Sequence, residues 1–308
     1  MTVTGPIDPA ELGVTDSHDH LFLRSPALPG YELEDPVRAI EEVAEAKVSG
    51  LQAIVELTPI GLGRRPDLLR QVAEATGVAI IGATGYHRDA HYPTGHWVLA
   101  ADEEMLVTRM VADIEVGMHP SDWEDPGRPP DAARAGVIKI GASYQHISNA
   151  ERRRLVAAAA ACQRTNAAIV AHTEVGTCGD EIVDALLNEG VSGDRVILAH
   201  VDRNPDPGLH EDLLDRGVFL VYDTIGRIKY APDSMRLGLI EQMVAAGHGE
   251  QIMIGMDLGR RYYFRAYGGG PGLAYLLGTF VPRLELRIGA EANRRILVDN
   301  AARALAIR

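Results

Sequence analysis

Short apolar runs rich in β-branched residues recur along the chain at 51–57, 78–83, 137–140, 168–171, 196–199, 218–221 and 252–255. They are continuously apolar and do not alternate with polar residues, the pattern of strands buried on both faces of a parallel sheet. A weaker run at 12–16 opens the series. Between the runs lie helical stretches at 36–48, 66–75, 103–116, 150–164, 180–187, 208–214 and 234–246. Pro66 stands near the start of one, and Gly50, Gly77, Gly190 and Gly217 follow the ends of others. Two more, 272–279 and 291–298, come after the last run. Eight strands alternating with helices predict an α/β chain closed as a (β/α)8 TIM barrel. A doubly wound open sheet is the rival, but it usually carries a glycine-rich phosphate turn after its first strand. His18-Asp19-His20 stands there instead.

The chain has 308 residues, 46% of them hydrophobic, enough to bury a core of that size. It shows no internal repeat, low-complexity tract or linker, so a single domain over 1–308 is expected. The loops at 85–100 and 119–135 are long, and long loops in compact domains tend to be functional. With 43 acidic against 30 basic residues, the formal charge of −13 repels phosphate backbones and anionic membranes, which argues against nucleic acid and membrane partners. The longest smooth apolar run, 155–162, is far short of the ~20 residues of a membrane span. Residues 1–13 lack the charged and apolar regions of a signal peptide. The two cysteines cannot form a framework, and Cys162 sits in an alanine-rich helix where a small buried residue belongs. A soluble cytoplasmic protein is the expectation.

In such a barrel the carboxyl ends of the strands open into the active-site mouth. His18 and His20 lie two apart after the first run, so both imidazoles face inward on an extended segment while Asp19 faces away. Lys139, His172, His200 and Asp257 each close an apolar run: Val-Ile-Lys, Ile-Val-Ala-His, Ile-Leu-Ala-His and Ile-Gly-Met-Asp. A lone histidine there is usually a packed core or mouth residue. Four histidines and an aspartate at one level suit a divalent transition metal, zinc first, with manganese, cobalt or iron compatible. Lys139 lies in the apolar stretch 136–141, where burial pushes an ammonium towards the neutral amine. Three readings are open for it: a lysine paired with a carboxylate, a Schiff-base lysine, or a carbamate formed with carbon dioxide that bridges two ions.

The chain resembles the phosphotriesterase-like family of the amidohydrolase superfamily. His18-x-His20, Lys139, His172, His200 and Asp257 match that family's metal-site pattern in order. So do segments 5–13 and 58–64, the Ala83-Thr84-Gly85-Tyr86 turn, and segment 298–303. The resemblance implies a homodimeric hydrolase with two divalent ions. His18, His20 and Asp257 would hold the buried ion and His172 and His200 the exposed one, with carboxylated Lys139 and a hydroxide bridging. Asp257 is the implied proton acceptor, and His200 stands with it as a catalytic candidate. The chain departs from the family in carrying Asp19 where glutamate is frequent, Gly255-Met256-Asp257 where serine-histidine-aspartate is common, and His87 where relatives present an aromatic.

The loops after the later strands gather cations: His87, Arg88, His91 and His96, then Arg203, Arg227, Lys229, Arg260 and Arg261. On a chain of net negative charge, a cationic rim favours an anionic small-molecule substrate, unless carboxylates such as Asp89, Asp202, Asp206 and Asp223 pair with it. Tyr92, Trp97, Tyr262, Tyr263 and Phe264 are candidate pocket walls, since aromatics make up only 5% of the chain. The tract Gly268-Gly269-Gly270-Pro271 reads as a flexible loop rather than a phosphate cradle. The expected activity is hydrolysis of a lactone or other carboxylic ester, with Tyr86, His87, Arg88, Arg227 and Arg260 on the substrate. Hydrolysis of N-acyl amides or of phosphoesters and phosphotriesters is the alternative. A non-catalytic binding protein on the same fold is disfavoured because all six ligands are present.

Overall fold

A computed structural model describes residues 1–120, 122–125 and 127–307. In it each apolar run supplies a strand, and every strand pairs in parallel with its neighbour in sequence. The strands are β1 (Thr15–Asp19), β2 (Ala53–Glu56), β3 (Ala79–Gly85), β4 (Ala135–Ala142), β5 (Ile169–Thr173), β6 (Val196–Ala199), β7 (Phe219–Tyr222) and β8 (Ile252–Ile254). The sheet closes just beyond β8, where the Met256 and Asp257 N–H groups donate to the His18 carbonyl at 3.2 and 2.9 Å. Gly255 permits that approach: a Cβ there would lie 2.7 Å from the His18 nitrogen. The result is a single-domain (β/α)8 barrel.

The helices between the strands are α1 (Pro36–Val48), α2 (Pro66–Thr76), α3 (Trp97–Ala100), α4 (Glu103–Glu115), α5 (Asn149–Thr165), α6 (Gly179–Asn188), α7 (Pro207–Asp215) and α8 (Asp233–Ala245). Local chemistry sets their ends. Asp35 and Asp206 accept from the first free amides of α1 and α7, each followed by a proline whose missing N–H is harmless there. Ser148 and Glu151 form a reciprocal capping box on α5, and left-handed Gly77 stops α2.

Alternation along each strand separates two apolar layers. Val55, Val137, Val170, Ile197 and Val221 fill the barrel interior, while Ile54, Ile138, Ile169, Leu198 and Leu220 pack outward under the helices. Lys139 shares the parity of Val137, and His172 that of Val170, so both point inward by the same rule. The interior layer continues down to α10 (Asn300–Leu305), whose Ala301, Ala304 and Leu305 plug the amino end.

Two sequence expectations shift. The first strand is not 12–16 but three residues later, so His18 lies inside β1 and not after it. All five of its residues, Thr-Asp-Ser-His-Asp, are buried, and a polar strand gives no apolar signal. The last helical stretches are also longer than 272–279 and 291–298. From Leu276 the chain winds through α9 (Val281–Arg294), breaks at Gly289 (φ 80°) and continues into α10. Pro282 sits in the first turn of α9, where proline is tolerated. Among the described residues no helix is long and apolar enough to cross a membrane.

Candidate metal centre

The carboxyl ends of β1, β4, β5, β6 and β8 bring His18, His20, Lys139, His172, His200 and Asp257 around one chamber of about 130 Å3. All six are buried. Ligand atoms of His18, His200 and Asp257 lie within 4.8 Å of one another. Asp257 Oδ1 is 3.4 Å from His20 Nε2 and 3.7 Å from His18 Nε2. The imidazoles form a continuous arc, with ring centres 5.4 Å apart for His18–His20, 4.8 Å for His18–His200 and 4.5 Å for His172–His200.

Backbone strain marks the same place. His200 (φ 67°) and Asp257 (φ 47°) are both left-handed, an arrangement that non-glycine residues hold only where the surroundings over-determine it. Gly85, with φ 96°, sits where a Cβ would lie 2.1 Å from the Lys139 carbonyl oxygen. Its successor Tyr86 donates to that oxygen at 2.7 Å, fixing β4 against the β3 turn.

Outer partners aim the rings. Asp223, at the end of β7, accepts from His18 Nδ1 at 2.7 Å and from His200 Nδ1 at 2.8 Å. His20 Nδ1 donates to the Thr58 hydroxyl at 2.8 Å, which donates to Glu56 at 2.6 Å. All three rings therefore turn Nε2 towards the chamber. Asp19, between the two histidines, is buried, and its Oδ1 accepts from the His20 and Leu258 amides at 2.7 and 3.1 Å, stitching β1 to the segment after β8.

The electrostatics favour neutral ligands. Burial pushes His18 and His172 down to about 4, with the Lys139 charge adding to the effect on His18. Burial, then Arg203, holds His200 well below its ordinary range. Lys139 is pushed down to about 8 by burial, against the opposing pull of Asp223 and Asp257. Burial would raise Asp257, but the Arg227 guanidinium and neighbouring groups hold it well below the usual carboxylate range. Among the lining residues, His18 Nε2 and Lys139 Nζ are buried without a hydrogen-bond partner, as are the Nε atoms of Arg88, Arg203 and Arg227. Such orphans cost about 1–3 kcal/mol each. Imidazole nitrogens and a carboxylate converging beside them are a donor set that fits a divalent transition ion.

The substrate candidates divide. His87 lines the chamber, stacked on His91 at 3.9 Å and 4.6 Å from the His172 ring; Arg88, Arg227 and Arg260 line it too. Tyr86 does not. Its side chain turns into the core, where the hydroxyl donates to the Leu106 carbonyl and the ring packs edge-on against Trp97. Of the five aromatics expected as walls, only Tyr263 reaches the lining. Tyr92 and Phe264 are core residues, Trp97 packs under the Arg109 guanidinium at 3.7 Å, and Tyr262 lies outside. Tyr230 joins the wall instead. The tract at 268–271 is no phosphate cradle, since the Gly269 and Gly270 amides donate to the Phe264 and Tyr262 carbonyls.

Asp223, Tyr230 and Glu174 are the site residues that sequence reasoning missed. Asp223 did leave a signal, because it follows the seventh apolar run as Asp257 follows the eighth. Nothing local marks Glu174.

Residues 1–305 match the phosphotriesterase family. A phospho-furanose lactonase of Mycoplasmopsis synoviae is 33% identical over 99% of this chain and 91% of its own length. Among solved structures, an amidohydrolase from Mycoplasma synoviae superposes with a TM-score of 0.95 at 32% identity, covering 100% of this chain and 91% of its own. A lactonase from Listeria monocytogenes superposes with a TM-score of 0.90 at 28% identity, covering 100% and 98%.

Proposed function

Because the chain belongs to the phosphotriesterase family, we propose that it is a binuclear metal hydrolase acting on a lactone or related carboxylic ester that carries an anionic group. The observation that carries this reading is the buried convergence of His18, His20, Lys139, His172, His200 and Asp257 beneath a rim of arginines. The similarity to a phospho-furanose lactonase and to a second lactonase supports the ester class and the charged tail.

His18, His20 and Asp257 would hold one ion, and His172 and His200 the other. Zinc suits these donors best, with manganese, cobalt or iron compatible. Lys139, with its amine near neutrality, is suited to take up carbon dioxide. From the neutral amine the Nζ–carbon bond forms as one C=O π pair of carbon dioxide moves onto oxygen, one Nζ proton leaves to water, and the resulting carboxylate would supply oxygen donors to the ions. Two such ions, when bound, lower the pKa of a water towards ~7 and polarise the scissile carbonyl. Asp223 and Thr58 keep the His18, His200 and His20 lone pairs on the chamber side. Asp257 turns Oδ1 to His18 and His20 and Oδ2 to Arg227 and Arg203, at 2.6 and 2.8 Å. With its Oδ1 on the chamber side, Asp257 would be the proton acceptor.

At the rim, Arg88 is engaged by Glu174 at 3.1 Å, and Arg227 by Asp257. Among the described residues Arg260 touches neutral groups, the Tyr262 hydroxyl at 3.3 Å and the Tyr31 ring face at 5.2 Å. Among the described lining residues it is the arginine best placed to grip the anionic tail, with Tyr263 beside it. A panel of matched lactones with and without a phosphate or carboxylate tests this. Arg260→Glu should lower kcat/KM for the charged member by about 10- to 100-fold, the worth of a charged hydrogen bond, and leave the neutral member nearly unchanged. Equal losses on both members contradict the assignment.

A further inference from the structure

We propose that Glu174 is a positioning residue that sets which nitrogen His172 presents to the chamber and, through the same carboxylate, latches Arg88 and the β3 loop against β5. The inference rests on the metal-centre reading for its consequence, though not for its geometry.

Glu174 follows His172 by two residues, and its side chain doubles back onto the ring. Its Oε2 accepts from His172 Nε2 at 2.6 Å and lies 3.1 Å from Arg88 Nη2. The backbone after it is built to force that return. Val175 is left-handed, with φ 55°, a conformation that is uncommon for an L-residue and rarer still for a β-branched one. Gly176 follows at φ 69°, where a Cβ would lie 2.7 Å from Asn204 Cβ. Thr177 clamps the turn, its amide and hydroxyl both donating to the Glu174 carbonyl at 3.1 and 2.7 Å. Such strain persists only where neighbouring contacts dictate it.

The other side of the latch is equally fitted. The Arg88 amide donates to His87 Nδ1 at 2.8 Å. Both groups lie against Gly141 of β4, where a Cβ would be 3.2 Å from each of them, so the β3 loop can seat there because the residue is glycine. A donated Nε2–H leaves the His172 lone pair on Nδ1. His18, His20 and His200 do the reverse, giving Nδ1–H to Asp223 or Thr58 and keeping Nε2 free. Glu174 thus imposes on His172 the opposite tautomer to its three companions.

The test is imidazole nitrogen NMR on chelator-treated protein labelled with 15N-histidine, the His172 signals identified by their loss in His172→Gln. The wild type is expected to show His172 as the Nε2–H tautomer and the other three as Nδ1–H. Glu174→Ala should shift His172 towards Nδ1–H, and zinc titration against a competing chelator should show the weaker site losing about 10- to 100-fold in affinity. Glu174→Gln, whose amide oxygen still accepts from Nε2–H, should restore the tautomer and most of the affinity. An Nδ1–H tautomer at His172 in the wild type, or a tautomer unmoved by Glu174→Ala, overturns the proposal without needing any metal. If the tautomer moves as stated while the wild type takes up no zinc, manganese or cobalt, the metal reading fails and the role of Glu174 on the ring stands.

Discussion

The two ends of the barrel are made from the same eight strands and obey different rules. At the amino end, Leu12, Val55, Ile197, Phe219 and Met253 meet the apolar side chains of α10. A cavity of about 360 Å3 opens there between the first residues and the last helix, larger than the chamber at the mouth but with few titratable side chains on its walls. At the carboxyl end the inward positions turn polar. Two of them sit on left-handed backbone, and His18 Nε2 and Lys139 Nζ are left without partners. One end is organised by burial and the other by chemistry at a cost in strain and desolvation. Of these two cavities, the smaller is the one that gathers the chemistry. Substitutions should therefore separate cleanly: changes at the mouth should remove activity and spare stability, and changes at the floor should do the opposite.

The strongest test of that separation is Lys139→Met, which keeps the shape and removes the amine. On the proposed metal reading, in which Lys139 carries a ligand group, hydrolysis should fall by about three orders of magnitude or more. The unfolding midpoint of chelator-treated protein should stay level or rise, because a buried ionisable group has been replaced by an apolar one. A large drop in stability with activity retained would reverse the roles assigned to the two ends.

At the floor, Phe219→Ala should cost about 3–5 kcal/mol in unfolding free energy by opening a cavity inside the barrel. Below its melting temperature, kcat and metal affinity should match the wild type. Denaturant unfolding alongside zinc titration reads both. A metal-affinity loss comparable to the stability loss would mean that the ends are coupled.

The smallest effect is on pH dependence. In chelator-treated protein, burial holds His18 and His172 down to about 4, against 6.5 as the ordinary value. Between these limits the unfolded chain binds more protons than the folded one. Stability therefore falls as pH drops through that window, by up to about 1.4 kcal/mol per pH unit for each ring, and these two groups add no slope above 6.5. Urea midpoints across the range should show the slope in Phe219→Ala, displaced downwards, and a shallower one in His172→Gln. An unchanged slope in His172→Gln would mean that this ring is not held neutral by the fold.

The same contrast explains how much the sequence made legible. Periodicity and burial govern the strands, so seven of the eight runs announced themselves, and polar residues closing those runs marked Lys139, His172, His200 and Asp257. The rule failed where burial is satisfied by hydrogen bonds. β1 is polar throughout and was placed three residues early, and its Asp19 is buried on the His20 and Leu258 amides, hydrogen bonds that no apolar pattern announces. Asp223 was read as a surface ion-pair partner, yet the rule that found Asp257 applies to it equally. Tyr86 went wrong by a single residue of alternation, since adjacent positions after β3 face opposite ways and His87 takes the chamber side. Glu174 had no sequence signal, because its position depends on a left-handed valine that no local pattern predicts.

The central claim is that six side chains at the carboxyl end hold two ions. Elemental analysis of protein expressed with zinc, manganese or cobalt and freed of loose metal tests it most directly, with hydrolysis of a phosphorylated lactone measured on the same sample. Six converging ligands exceed the needs of one tetrahedral site, so the account predicts close to two ions per chain, with activity rising as the second site fills. One ion per chain with full activity would contradict it.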